Sequence, residues 1–432
     1  MAQFRIDTQK VDQPTVTRYE VMMLSDRLTP SGSVTDAFGR LRVGNPFTIF
    51  ESQHRYKENE KWDTVTAGAA NTQYFINESS IHMNVGTSSG DKVIRETKRV
   101  FTYQPGKGLT VLNTFVFAPL KDGLRQRVGY FGANNGIYFQ ANGTSLSIVE
   151  RSYSNGSIVE TIIPQSNWNA DKFDGTGLSA QVGRGPSHVS EPLDPTKSNL
   201  FWVDIEWLGV GDVRCGFLSN GKLMPAHIFH HDNIGTTSYM TTAVLPIRYE
   251  IENVAATANN STMTQICSTV ISDGGYQGRN KSRSVGIDVN QTRQTGNIGT
   301  WLPVLSIRMS PSRPDCVVIP KLIDLLGLTN NATYRYKIIS NGTLTNSNFI
   351  DTYGNNVQYD ISSNAISGGV EVSTGYLVNG VKGNTIQFGS IEEFEIQLGR
   401  TQAGNSDILT IAVQSDSAQA NIAACIEWYE LI

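Results

Sequence analysis

Charge is scarce in this sequence. Asp, Glu, Lys and Arg make up 17% of its 432 residues, where globular proteins average about 25%. The net charge is only −4, so no excess of one sign implies a nucleic-acid partner. Lys98-Arg99 and the Arg125 to Arg127 group are too short for a phosphate-binding stripe, and ordinary strand or turn charge accounts for them more simply. Cysteine is scarce as well. Cys215, Cys267, Cys316 and Cys425 lie far apart, each in an apolar run, and no Cys-x-x-Cys occurs. That pattern predicts buried free thiols and no disulfide, as in a protein folding in a reducing cytoplasm. No apolar run approaches the ~20 residues of a membrane span, and the polar segment Met1 to Lys10 does not read as a secretory signal. Enzyme signatures are missing too. Gly86 to Lys92 lacks the adjacent Gly-Lys-[Ser/Thr] of a phosphate loop and reads as a hairpin tip; no Gly-x-Ser-x-Gly elbow is present.

Gly, Asn, Ser and Thr fill the gap, which is the composition of a β-rich chain with many turns. Asn220-Gly221 is the dipeptide of a two-residue type I′ turn, where both central residues need φ > 0. Counting outward, Ser219 faces Lys222, Phe217 faces Met224 and Cys215 faces Ala226. Val213, Cys215, Phe217, Met224, Ala226 and Ile228 then form one apolar face, and a one-residue slip would invert it. Phe201, Val203 and Ile205 alternate with Asp204 and Glu206 on the strand before. A turn at Asn142-Gly143 aligns Ile137 with Ile148 and Phe139 with Leu146. One at Asn155-Gly156 sets Arg151 opposite Glu160 and Val149 opposite Ile162. Asn341-Gly342 and Asn379-Gly380 mark further hairpins.

The expected fold is all-β. Residues 1–50 have little hydrophobic periodicity and read as an extended N-terminal arm. Residues 51–275 form a large antiparallel β-sandwich of the jelly-roll or concanavalin-like kind, interrupted by a Gly-, Pro- and Ser-rich loop from Asn167 to Lys197. Residues 276–299 read as a linker or crossing loop. Residues 300–432 form a second β domain with one short helix, signalled by Pro320, Leu322, Ile323, Leu325, Leu326 and the stop at Gly327.

Few residues invite chemistry. Asp204 and Glu206 share a strand face about 6–7 Å apart. Sandwich glycosidases of the laminarinase type use Glu-x-Asp-x-x-Glu, but Trp202 and Gly209 occupy the two outer positions here. A solvated or salt-bridged pair is the simpler account. His227, His230, His231 and Asp232 suggest a metal site, yet His227 and His231 would sit ~13 Å apart along a strand and His230 points away. Neither metal nor cofactor is expected unless a bulge regroups them. Tyr130, Phe131, Tyr138, Trp168 and Phe173 could stack on a sugar, or could simply be core.

Two blocks resemble a known group. One is Thr35-Asp-Ala-Phe-Gly-Arg-Leu-Arg-Val-Gly-Asn-Pro-Phe-Thr-Ile-Phe-Glu-Ser-Gln-His-Arg-Tyr56. The other runs from Trp207-Leu-Gly-Val-Gly211 through His227-Ile-Phe-His-His-Asp-Asn233 to Leu245-Pro-Ile-Arg-Tyr-Glu-Ile251. Over about residues 35–253 this wording resembles virion structural proteins of tailed bacteriophages, especially marine and cyanobacterial ones. The resemblance implies a protein made in the host cytoplasm and built into a virus particle, with no catalytic residues. On that basis the expected function is a non-enzymatic structural component present in several copies. It would sit near the tail, fibre or baseplate, or decorate the head surface. Its partners would be copies of itself and other virion proteins, with no nucleic acid and no membrane insertion. Interface candidates are Phe38, Arg40, Leu41, Arg42, Val43, Phe47 and Phe50 in the arm, and Trp428 and Tyr429 at the C-terminus. The alternative is a host adhesin binding a surface glycan through Tyr130, Tyr138 and Trp168. A glycan-cleaving enzyme using Asp204 and Glu206 is the third reading.

Overall fold

The structure, a computed structural model, describes residues 45–176, 191–275, 281–378, 384–387 and 396–431. Every regular element among the described residues is a strand, apart from a single 3-10 turn at Gln165–Asn167. The strands pair antiparallel, so the fold is an all-β, sandwich-type one. The chain divides into two compact units. Of the described residues, the first takes in those up to Glu60, then Thr64–Arg95 and those from Tyr103 to residue 275; the second takes in Lys61–Asp63, Glu96–Thr102 and those from Lys281 onward.

In the first unit an eight-stranded sheet runs Lys222–Phe229, Val213–Ser219, Asn199–Ile205, Leu109–Val116, Ser261–Ser272, Ser80–Val85, Asn71–Phe75, with Phe47–Ser52 also paired to Ser261–Ser272. A seven-stranded sheet runs Val159–Pro164, Ser145–Ser152, Gly136–Asn142, Leu124–Phe131, Ile247–Asn253, Lys92–Thr97, Trp62–Ala67. The core lies between them. Phe139 of the seven-stranded sheet sits at its centre, with ring centroids 5.8 Å from Phe115, 5.3 Å from Phe117, 5.9 Å from Phe201 and 4.9 Å from Phe217. Tyr249 reaches across as well. A bulge between Gln265 and Ser268 interrupts the ladder, and the Tyr249 hydroxyl bonds there to the Cys267 carbonyl at 3.2 Å and to Ser268 Oγ at 2.9 Å.

The hairpin at Asn220-Gly221 forms, with φ of 49° and 74° at its two residues. Ser219 faces Lys222 and Phe217 faces Met224, both of the latter pair buried. Beyond Gly216 a bulge intervenes, and Cys215 faces His227 rather than Ala226. Gly216 is where the strands close up: a Cβ there would lie 2.0 Å from the Met224 carbonyl oxygen. The Asn155-Gly156 hairpin keeps its expected register, Arg151 to Glu160 and Val149 to Ile162. At the preceding turn the loop is Gly143-Thr144 instead of Asn142-Gly143, so Phe139 faces Ile148 and Ile137 faces Glu150. Gly143 has φ of 61° and supplies the first position of a type II′ turn. That slip of two keeps every side chain on its expected face. Gly86 to Lys92 is a crossover rather than a hairpin tip, since its flanking strands belong to different sheets.

The second unit has a five-stranded sheet around Asn421–Leu431 and Val317–Gly327, and a six-stranded sheet ordered Ile350–Asp351, Val357–Asp360, Leu302–Met309, Ile408–Ser415, Thr333–Ser340, Val370–Val378. The expected helix at Pro320 to Gly327 is a strand. Its apolar residues pair with Asn421–Leu431 on one side and Asn384–Gln387 on the other, and Pro320 sits at a bulge, where a missing N–H is tolerated. The expected linker contains two strands, Lys281–Gly286 and Arg293–Gln294, both paired to Asn421–Leu431. Asn341 turns the chain, with φ of 58°, but makes no hairpin: Thr343–Thr345 pairs with Ala365–Ser367. Asn379-Gly380 lies outside the described residues. The four cysteines are free thiols, Cys215 buried, Cys267 and Cys316 half-buried, and Cys425 exposed rather than buried.

Candidate functional site

Strand alternation gathers charge on one face of the first unit. On the seven-stranded sheet, the face away from Phe139 carries Arg125 and Arg127, Tyr138 and Gln140, Arg151, Glu160, and Arg248, Glu250 and Glu252. Register places Arg127 opposite both Gln140 and Glu250, and Arg125 opposite Glu252. The contacts follow. Arg125 meets Glu252 at 2.5 Å, Arg127 meets Glu250 at 3.4 Å, Arg248 meets Glu250 at 2.9 Å, and Arg151 meets Glu160 at 2.7 Å. The Tyr138 hydroxyl donates to Glu160 at 2.7 Å. Guanidinium groups also cover the rings: Arg127 and Arg151 both lie 5.2 Å from the Tyr138 centroid, and Arg248 lies 5.5 Å from that of Phe131.

Electrostatics defines what this face can do. Burial pushes the Glu250 carboxyl up, but Arg248, Arg127, Arg125 and Arg151 outweigh it and hold its pKa below the ordinary value. Burial also raises Glu160, and the bonds from Tyr138 and Arg151 with the arginine charges again win. Both stay ionised. A glycosidase acid needs the opposite, a carboxyl held protonated near neutral pH. The network therefore suits rigidity better than proton transfer.

A second cluster forms at the end of the Lys222–Phe229 strand. His227 is buried and its Nδ1 accepts the Asn169 N–H at 3.3 Å. Burial, then the His230 charge, lower its pKa to about 4, so it is neutral. His231 differs. Its Nδ1 lies 2.8 Å from the Gly211 carbonyl and its Nε2 2.7 Å from Glu150, both acceptors, and its ring stacks on Tyr239 at 3.7 Å. Burial lowers its pKa, but the Glu150 bond and charge with the Gly211 carbonyl and Asp212 outweigh that and raise it. The strand ends at Phe229, and the chain then turns, which corrects the strand spacing expected for these histidines. His230 and Asp232 join Asp212, with potential ligand atoms all within 4.8 Å of one another. These three could hold a divalent cation. His230 and Asp212, 3.1 Å apart, also satisfy each other as a surface pair.

The other expected site residues fall differently. Asp204 and Glu206 are buried, not solvated. The proposed sugar platform is not a surface at all. Tyr130 is fully buried and donates to the Ala243 carbonyl at 2.6 Å. Tyr138 lies beneath the arginines, and Trp168 is buried with its Nε1 donating to the Ile163 carbonyl at 3.2 Å. Phe131 and Phe173 are buried too. Among the interface candidates, Phe38, Arg40, Leu41, Arg42 and Val43 lie outside the described residues. Phe47 and Phe50 belong to a strand paired with Ser261–Ser272, and Phe50 is buried, so the body begins before residue 51. Trp428 is fully buried in the second unit's core, donating to Glu430 at 3.0 Å, and is no interface residue. Tyr429 is half-buried, with the Lys321 ammonium 5.2 Å from its ring centroid. Of the arginine–glutamate face, the sequence predicts only the Arg151–Glu160 pair. The signal for the rest is charge at two-residue spacing inside apolar strands, Arg125-x-Arg127 and Arg248-x-Glu250-x-Glu252.

What these features define is an all-β protein of two units, its first sandwich faced with a locked ionic lattice. No family model matches the chain, and no curated protein does. Among solved structures it is similar to the carbohydrate recognition domain of Emp47p, at 11% identity and a TM-score of 0.33, covering 52% of this chain and 96% of that one. A GH16 protein from the mixed linkage glucan locus of Bacteroides ovatus gives 9% identity and a TM-score of 0.33, covering 51% and 99%. A protein of unknown function from Shewanella oneidensis MR-1 gives 10% and 0.32, covering 64% and 99%. At this level the likeness says nothing of what the present chain binds.

Proposed function

We propose that this protein is a non-enzymatic structural component of a tailed-phage virion, assembled in several copies in the tail, fibre or baseplate region or as a head-surface decoration. The wording of residues 35–56 and 207–251 supports the particle. The edge strand Val159–Pro164 supports the multiplicity, and it is the observation that carries this reading. It closes one end of the seven-stranded sheet. Ile158 is 54% exposed, Val159 46% and Ile162 51%. Free-standing proteins blunt such an edge with outward charge. Here the one charge on the strand, Glu160, is bound to Arg151 and Tyr138. Among the described residues no strand pairs with its outer edge, and an apolar edge of this kind fits a protein whose edge is covered by a neighbouring copy.

The test is native mass spectrometry of the full chain beside Ile162→Lys. Self-association that the lysine abolishes, with an unchanged melting temperature, supports the reading. A wild-type chain that stays monomeric up to high micromolar concentration counts against it. Glycan recognition through the first sandwich has lost its aromatic platform to the core and is not favoured. The carboxylates of the ionic lattice are held ionised by arginine, which supports the non-enzymatic assignment.

A further inference from the structure

We propose that the second unit carries a saccharide site on the outer face of its six-stranded sheet, built on Tyr376, Arg335 and Gln414, and that it takes a sugar bearing a carboxylate. This stands apart from the assembly reading above, since it concerns neither the first unit nor its edge strand. The register creates the site. Arg335 on the middle strand is paired with Tyr376 on one side and Gln414 on the other, so the three form a row across three strands. The alternate residues Tyr334, Tyr336 and Val413 go into the core. Above the row is a shallow cavity of ≈ 320 Å³, lined also by Ile298, Thr333 and Asp416. That is at the lower end of small-ligand sites, about 300–1,000 Å³.

The exposure is unusual for these residue types. Tyr376 is 66% exposed and Ile298 66%. The Tyr376 ring is an apolar surface for the C–H face of a pyranose. Arg335 is held by rings rather than by acids: its guanidinium carbon lies 5.9 Å from the Tyr376 centroid and 5.7 Å from that of Trp301. Its neighbour Lys337 is neutralised by Glu371 at 2.6 Å, whereas among the described residues no carboxylate forms an ion pair with Arg335. The arginines of the first unit's lattice, by contrast, are each matched by a glutamate. A guanidinium fixed by aromatic faces with its N–H groups unclaimed by acid is preorganised for a bidentate carboxylate. Gln414 offers an amide to hydroxyls. Asp416, at the edge of the cavity, accepts the Thr333 N–H and the Ser417 hydroxyl through Oδ1. Asp416 and Glu371 beside the site disfavour a polyanion such as nucleic acid. One carboxylate set among hydroxyls matches the row.

The experiment is binding of the full chain to an array holding uronate- and sialate-bearing oligosaccharides beside neutral ones, with titration calorimetry on a bound acidic sugar and maltohexaose as the neutral control. Acidic sugars should bind and maltohexaose should not. Tyr376→Ala and Arg335→Met should each weaken binding by more than about tenfold, as loss of a charge-assisted bond or a stacked ring implies. Arg335→Lys should fail to restore it, and Tyr376→Phe should retain it. Tyr376 is exposed and Arg335 half-buried on the outer face, so circular dichroism melts should move little. No binding to any acidic sugar, or binding equally strong to neutral sugars and indifferent to Arg335→Met, would overturn the proposal.

Discussion

His54 is fully buried, and its Nδ1 accepts the Asn59 N–H at 3.2 Å. Burial, helped by the Arg95 charge, lowers its pKa to about 4, although Glu58 opposes. His227 is lowered to about 4 as well. The unfolded chain holds both near 6.5, so on acidification it takes up protons before the folded one does. Stability from these residues is therefore present above about pH 6.5 and is lost as pH falls towards 4. Glu160 and Glu250 act in a lower window, because their depressed folded values release stability only below the ordinary carboxylate range. A melting temperature that falls between pH 6.5 and 4.5 is expected, and the fall should be shallower in His54→Gln. An unchanged slope would show that the acid sensitivity lies elsewhere. Phe139 governs the core at the same scale. Phe139→Ala removes a ring packed against four other phenylalanines, and should cost about 3–5 kcal/mol in urea unfolding.

At the scale of the element, the hairpin Val213–Ser219 with Lys222–Phe229 shows what a strand pattern reveals and what it hides. The turn dipeptide and the apolar alternation place Phe217 opposite Met224. They do not show the bulge at Gly216, because a bulge is set by the close approach of two backbones and leaves little trace in polarity. Gly216→Ala would push a methyl group into the Met224 carbonyl, 2.0 Å from the new Cβ. A loss of about 1–3 kcal/mol is expected from that overpacking, visible as a lower thermal midpoint; a neutral result would mean that the bulge can slide. Val317–Gly327 teaches a related lesson. Its Leu322, Ile323, Leu325 and Leu326 fit a helical stripe as well as a buried strand, and only pairing with strands distant in sequence decides between them. Beyond the hairpin pair Arg151–Glu160, the ionic lattice is illegible in the sequence for the same reason. Arg127 and Glu250 are individually unremarkable charges, and they become partners because Leu124–Phe131 lies beside Ile247–Asn253 in the sheet. The sugar row repeats this with Arg335, Tyr376 and Gln414, each from a different strand.

At the scale of the whole molecule, the second unit is not continuous in sequence, and no composition shift announced that. It includes Lys61–Asp63 and Glu96–Thr102, borrowed from within the span of the first. These short pieces hold the stretch from Gln397 to Gln402. Arg400 donates its N–H to the Lys98 carbonyl at 2.7 Å and pairs through its guanidinium with Glu96 at 3.0 Å and Asp315 at 2.7 Å. The Gln402 N–H donates to Asp63 at 2.7 Å, and the Gln397 amide to the Val100 carbonyl at 3.1 Å. Glu96 is buried, and Arg400 is largely so. Burial opposes the Arg400 charge, but Asp315 and Glu96 outweigh it and raise its pKa. A fragment of residues 277–432, which leaves out Lys61–Asp63 and Glu96–Thr102, would strip Arg400 of its buried partner. That fragment should melt well below the corresponding unit of the intact chain. Glu96→Gln in the full chain is the milder version, expected to cost about 1–3 kcal/mol because Asp315 remains. Hydrogen exchange localises the effect: amides from Leu398 to Ile408 should exchange faster in Glu96→Gln, while those of Leu124–Phe131 keep their protection. Equal acceleration in both regions would mean that the loss is global, and that Glu96 does not act on the Leu398 to Ile408 stretch in particular.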